Sequence, residues 1–242
     1  MKILLTNDDG YAAPGIAAAY EAIAPLGDVY VVAPSSERSA CGHSISLHGP
    51  IGVDTIDHPR FGRVHAVNGT PADCVRLAAS VLIGAEFDLV VSGINRGANT
   101  GVDTFYSGTV AGAREATILG FKAIALSHAI RRDSKIHWEK ATAISAEMVA
   151  MLKDEPMPAA GFWNVNFPPV LPDDPMSHVQ RVPVARETVP LDFERHEHPD
   201  PDVLQFHYGS TYWNRHVSEP SDFSVVRDGG MSITPVPLIG RF

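Results

Sequence analysis

ILLTNDDG, residues 3–10, is a short apolar run that stops at two adjacent carboxylates. Three more runs share its length and texture: VYVVA at 29–33, LVVS at 89–92 and AIALS at 123–127. Each is continuous rather than alternating, the pattern of strands buried on both faces of a parallel sheet. Helical periodicity lies between them. Pro14 opens a pattern through Ile16, Tyr20 and Ile23, and Thr70-Pro71 opens one through Val75, Leu77, Ala78 and Leu82. Thr109 leads a third through Val110, Ala113 and Ile118, and Trp138 to Leu152 makes a fourth. Strand–helix alternation of this kind predicts a mostly parallel α/β sheet with helices on both faces.

Working outward, residues 47–68 read as a β-hairpin or arm inserted between two α/β units, with Ile51, Val53, Ile56, Val64 and Val67 as its apolar positions. Beyond Phe162–Phe167, prolines 168, 169, 172, 175, 183 and 190 interrupt a polar stretch. Proline cannot donate to a ladder, so this segment is excluded from central strands. The expectation is one domain over 1–242, with a core of about 1–167 and an irregular extension with β-arms over about 168–230. An aromatic run in that extension, Phe206, His207, Tyr208, Tyr212 and Trp213, suits packing between arms or stacking on a base.

With 242 residues, 45% of them hydrophobic, and a net charge of −9, the chain has globular composition and no basic face for a nucleic acid polymer. An acidic protein that handles phosphate needs a local positive source, a metal ion or a helix N-terminus. Cys41 and Cys74 match no zinc spacing and read as reduced thiols. No apolar stretch is long enough for a membrane span, and the N-terminus is not a signal peptide, so a cytoplasmic location is expected.

Ligands of open α/β sheets bind beyond the carboxyl ends of the strands. Asn7, Asp8, Asp9 and Gly10 follow the first strand. Ser35, Ser36, Glu37, Arg38 and Ser39 follow the second, and Asn95, Arg96, Gly97 and Asn99 the third. Two adjacent carboxylates repel unless a cation sits between them, and a hard cation such as Mg²⁺ or Mn²⁺ takes oxygen ligands. The plainer reading of Asp9-Gly10 is a turn that precedes a helix. Ser107-Gly108-Thr109 at a helix start offers free backbone N–H groups to an anion, or is simply a cap. His43 and His128 read as structural histidines, and Arg114-Glu115 as a solvated pair on one helix.

Taken together, ILLTNDDG at 3–10, VVAPSSERSACGHSISL at 31–47, NGTPADCV at 68–75, DLVVSGINRGANTGVDTFYSGTVAGAREA at 88–116 and SITP at 232–235 resemble the SurE family of survival-protein nucleotidases. Residues from about 170 to 216 carry little of the likeness. The resemblance implies a Rossmann-like core and hydrolysis of nucleoside 5′- and 3′-monophosphates, with some members also shortening polyphosphate. It implies one divalent metal ion per subunit, held by Asp8, Asp9, Ser39 and Asn95. It places phosphate at the Ser107-Gly108-Thr109 turn, beside Asn95 and Asn99, and implies a homodimer or homotetramer joined by C-terminal arms. The site reading assigns the reaction to Asp8 and Asp9 with direct attack by water. Haloacid-dehalogenase phosphatases need a nucleophile and an acid two positions apart, whereas here the carboxylates are adjacent. A non-catalytic metal and nucleotide sensor on the same sheet is the competing class. A dinucleotide oxidoreductase is disfavoured, because the first strand leads into Asn7-Asp8-Asp9-Gly10 and not into G-x-G-x-x-G.

Overall fold

The computed structural model of the chain describes residues 1–238 apart from 85, 132, 133, 159, 201, 210–212 and 214. In chain order the elements are β1 (Lys2–Thr6), α1 (Pro14–Ile23), β2 (Asp28–Pro34), β3 (Val53–His58), β4 (Gly62–Val67), α2 (Pro71–Leu77), β5 (Leu89–Arg96), α3 (Asp103–Tyr106), α4 (Gly108–Ile118), β6 (Ala123–His128), α5 (Trp138–Leu152), β7 (Gly161–Phe167), β8 (Val179–Arg181), β9 (Phe193–His196), β10 (Gln205–Tyr208), α6 (Asp222–Arg227) and β11 (Met231–Pro237). One sheet carries the order β3-β4-β2-β1-β5-β6-β7-β11-β8, and β9 and β10 form a separate hairpin. Strands β2, β1, β5, β6 and β7 run parallel, with β1 central between β2 and β5.

The continuous apolar runs are buried on both faces. Ile3 and Leu5 enter one core layer with α1 and α5, and Leu4 enters the other with α2 and α4. Proline opens both α1 and α2, where its missing N–H costs nothing. A capping box closes the start of α2: Thr70 Oγ1 accepts from Asp73 N at 3.1 Å and Asp73 Oδ2 accepts from Thr70 N at 2.9 Å.

Residues 47–68 do form a hairpin, but it is not a detached arm. Its second strand, β4, pairs in parallel with β2 and so extends the main sheet. The buried Val64, Ala66 and Val67 explain this, since they cover core that β2 would otherwise leave open. Among the described residues, the strands of the proline-rich extension are the three-residue edge strand β8 and the β9–β10 hairpin. β11 tolerates Pro235 inside the sheet because β8 pairs with it only as far as Ile233. α6 is an addition to the sequence reading. Its available signal is Ser221, which caps the helix in a box with Ser224. Tyr212 of the aromatic run lies outside the described residues. No helix among them is long and apolar enough to cross a membrane.

Candidate metal and phosphate site

Chain geometry at the end of β1 points both carboxylates at the carboxyl edge of the sheet. Asn7 Nδ2 donates to Gly10 O at 2.9 Å and tightens the turn that holds Asp8 and Asp9. Asp8 is 3% exposed and Asp9 is half-buried. Burial pushes the Asp8 carboxyl up to about 6, against the lowering effect of the Thr109 hydroxyl, and the charge of Asp9 adds to the rise. Asp9 is also raised, by burial first and then by Glu37, although the Arg96 N–H opposes this. None of the ion pairs among the described residues includes either carboxylate. A buried acidic pair without a cation is a stressed arrangement, which a bound divalent ion would relieve.

Three neighbouring segments converge on this pair. The loop after β2 is tied down by Arg38 N, which donates to Asp8 O at 2.7 Å. That bond brings Ser39 to the edge, where its exposed hydroxyl donates to Glu37 Oε1 at 2.6 Å. From β5, Arg96 N donates to Asp9 Oδ2 at 3.1 Å. A register shift between Ser92 and Asn95 places one extra residue in β5 opposite β6, and such bulges re-aim side chains. Asn95 Nδ2 donates to Gly97 O at 3.0 Å, so the carbonyl end of its amide is the end left for a ligand. Among the described residues no three His, Cys, Asp or Glu side chains converge as a metal-holding group. Two carboxylates with neighbouring hydroxyl and amide oxygens would suit a hard cation, which takes oxygen ligands.

The fourth segment is the start of α4. Ser107 caps it, its Oγ accepting from Val110 N at 3.0 Å. Thr109 is fully buried, and its hydroxyl donates to Asp8 Oδ1. The turn that the resemblance assigns to phosphate thus has its Thr109 hydroxyl on a carboxylate. Gly108 lies against Asp8 so closely that a Cβ there would stand 2.7 Å from Asp8 Cβ and 3.0 Å from Cys41 Sγ. Cys41 and Cys74 are both free, and the half-buried Cys41 borders the site. Asn99 is 6% exposed and engaged by its neighbours. Its Nδ2 donates to Ser127 Oγ at 2.9 Å, its N to Asn166 Oδ1 at 2.8 Å, and its O accepts from Asn164 and Asn166. It braces the loop after β5 against β6 and β7.

Arg114 and Glu115 are not a solvated pair. Glu115 is 3% exposed and accepts from Arg76 Nη1 at 2.6 Å, with His43 Nε2 at 2.7 Å on its other oxygen. Arg114 instead donates to Thr104 O at 2.8 Å and lies between the rings of Phe105 and Phe162. Helix α4 is buried over most of its length, which takes Glu115 out of water and leaves Arg114 partly covered. His43 is structural as expected, anchoring the loop that follows Ser39.

The C-terminal segment reaches back to this edge. Buried Arg215 pairs with Asp103 Oδ2 at 2.9 Å, and Asp222 accepts from Gly101 N and Ala185 N, each at 2.8 Å. Burial raises Asp222 to about 6 despite those backbone donors. Because the folded value lies above the unfolded one, its stabilising contribution is full below about pH 4 and is lost as pH rises through 6. The stability advantage of wild type over Asp222→Asn should therefore shrink between those pH values, by up to about 3 kcal/mol. Urea denaturation of both proteins at pH 4, 5, 6 and 7 checks this; an advantage that grows with pH would refute it.

A family model described as survival protein SurE matches residues 3–189. A protein of Geotalea uraniireducens (strain Rf4) named 5′-nucleotidase SurE is 42% identical over 241 residues, covering 98% of this chain and 93% of that protein. One of the same name from Desulfitobacterium hafniense (strain DCB-2, DSM 10664) is 40% identical, covering 98% of this chain and 90% of its own length. The crystal structure of the SurE protein from Aquifex aeolicus superposes with a TM-score of 0.83 at 34% identity, covering 100% of this chain and 95% of the other. With the paired carboxylates, the bulged Asn95 and the Ser107-capped helix meeting at one sheet edge, the chain belongs to the survival protein SurE family.

Proposed function

We propose that the protein is a divalent-metal-dependent nucleotidase that hydrolyses nucleoside 5′- and 3′-monophosphates to nucleoside and phosphate, and also short polyphosphate. The observation that carries the reading is the Asp8–Asp9 pair at the end of β1, with buried Asp8 held against the α4 start by Thr109 and neither carboxylate in an ion pair among the described residues. Asp8, Asp9, Ser39 and Asn95 would hold one Mg²⁺ or Mn²⁺. When bound, that ion supplies Lewis-acid polarisation of a phosphate oxygen and a more acidic water. Asp9, more accessible than Asp8 and with only one oxygen engaged by Arg96 N, accepts the proton of the attacking water. Ser107, Gly108 and Thr109 bind the equatorial phosphate oxygens through the helix start, where backbone dipoles favour negative charge. Asn99 holds the floor of the loop that carries Asn95. In solution the chain works as a homodimer or homotetramer. The support is the β9–β10 hairpin, which leaves Phe193, Phe206 and Tyr208 50%, 53% and 70% exposed and calls for a partner copy.

Phosphate release from AMP and from 3′-AMP with Mn²⁺, abolished by EDTA and restored by added metal, is the deciding measurement. Nucleotide binding without release would favour the sensor class instead. Metal and phosphate roles separate by titration. Asn95→Leu should raise the metal concentration for half-maximal rate sharply, since it deletes a ligand. Thr109→Val should raise it too, by roughly five- to tenfold, because the lost hydrogen bond orients a charged ligand. A Thr109→Val enzyme with an unchanged metal requirement and only a higher substrate KM would return that hydroxyl to the phosphate.

A further inference from the structure

His128 ends β6, two strands along the same edge from the carboxylates and level with Arg96, and its carbonyl accepts from Gly97 N at 2.9 Å. The residue is 1% exposed. Its Nδ1 lies 2.9 Å from Ala129 O, an atom that can only accept, so Nδ1 carries the proton and Nε2 presents a bare lone pair. That Nε2 is buried and has no hydrogen-bond partner among the described residues. An orphaned buried acceptor costs free energy unless something donates to it.

A cavity of about 200 Å³ opens on this ring, walled by Pro169, Val170 and Leu171 and rimmed by Lys135 and His137. It is smaller than the roughly 300–1,000 Å³ that enclose drug-sized ligands, so it suits one planar ring system and not a whole nucleotide. Phe167 stands edge-on to His128 at 6.1 Å between ring centroids. Burial, with the nearby His137, also keeps the ring in its neutral form.

We propose that this cavity is the nucleobase subsite of the nucleotidase, with His128 Nε2 accepting a hydrogen bond from the exocyclic amine of the base. The assignment rests on the nucleotidase reading for its ligand. A nucleotide laid along the sheet edge puts phosphate at the α4 start and the base one strand beyond Asn95. The aliphatic wall covers the face of the ring. Proline and leucine side chains there offer no polar competition, and Ser134, the other hydroxyl nearby, is already spent on Arg131 N and O. His128 is thus a specificity residue.

The test compares AMP with purine riboside 5′-monophosphate, which differs only by lacking the exocyclic amine. Wild type should favour AMP in kcat/KM by about fivefold, the worth of one neutral hydrogen bond. In His128→Leu the ratio should fall to near one. A wild-type ratio of one overturns the subsite without any variant having to fold. Calorimetric titration of wild type with adenosine and with purine riboside stands apart from turnover. Tighter binding of adenosine supports the subsite even if no phosphate is released, which would sink only the nucleotidase reading. Equal binding, or none, means the imidazole merely holds a buried water.

Discussion

Asp8→Asn is expected to lower kcat/KM for a nucleoside monophosphate by roughly 10³-fold or more. Loss of one hydrogen-bond donor around a charged transition state alone costs about 10²–10³. Here the change removes half the negative charge that would hold the metal. The fold should survive. Asn matches Asp in shape, can still accept from the Thr109 hydroxyl, and leaves Arg38 N on the backbone carbonyl of residue 8. In metal-free protein the variant should melt no lower than wild type, because the buried carboxylate is itself unfavourable when ionised beside Asp9. Steady-state assays over a metal series and a melting curve with EDTA together check both halves. Activity within a few-fold of wild type at saturating Mn²⁺ would remove Asp8 from the site.

Most of the edge that carries these residues was legible because strands buried on two faces announce themselves as continuous apolar runs, and ligands gather where such runs stop. Ile3–Thr6, Val29–Ala33, Leu89–Ser92 and Ala123–Ser127 all became central strands. What could not be read was partnership across distance. Nothing local to Arg114-Glu115 says that Glu115 meets His43, 72 residues earlier, and Arg76, 39 residues earlier. That the Thr109 hydroxyl engages Asp8, 101 residues back, was equally hidden, because a helix start looks the same whether the anion it faces is a ligand or a side chain. His128 was set aside for the same reason: an imidazole at a strand end gives no sign of whether its second nitrogen is paired. The hairpin within 47–68 was legible, but not its docking on β2, because a hairpin's own alternation does not show which outer strand will accept it.

Gly108→Ala should be nearly as damaging as the loss of a ligand, although it adds only a methyl group. The new Cβ would stand 2.7 Å from Asp8 Cβ, 2.9 Å from Asp8 Oδ2 and 3.0 Å from Cys41 Sγ. Asp8 Cβ is fixed to the backbone at the end of a central strand, so it cannot swing aside as the tip of a long side chain would. Either the α4 start or the Asp8 turn must move by several tenths of an ångström. Misplacement of about 1 Å around reacting groups can cost 10²-fold, and activity should fall by roughly that factor. Overpacking costs about 1–3 kcal/mol, only partly offset by the better helix propensity of alanine, about 1 kcal/mol at an interior position and less in the first turn. Gly112→Ala, one turn along the same helix, is the control. Its Cβ meets Ser92 Oγ at 2.9 Å and Thr6 Cγ2 at 3.1 Å, with neither carboxylate among its nearest neighbours. Both variants should lose stability, and only Gly108→Ala should lose activity out of proportion to that loss. Adding Cys41→Ala relieves the sulfur contact and should recover some stability, but little activity, since the clash with Asp8 remains. If Gly108→Ala instead keeps activity within threefold of wild type, the helix start does not press on Asp8, and the phosphate role of Ser107-Gly108-Thr109 loses its structural support.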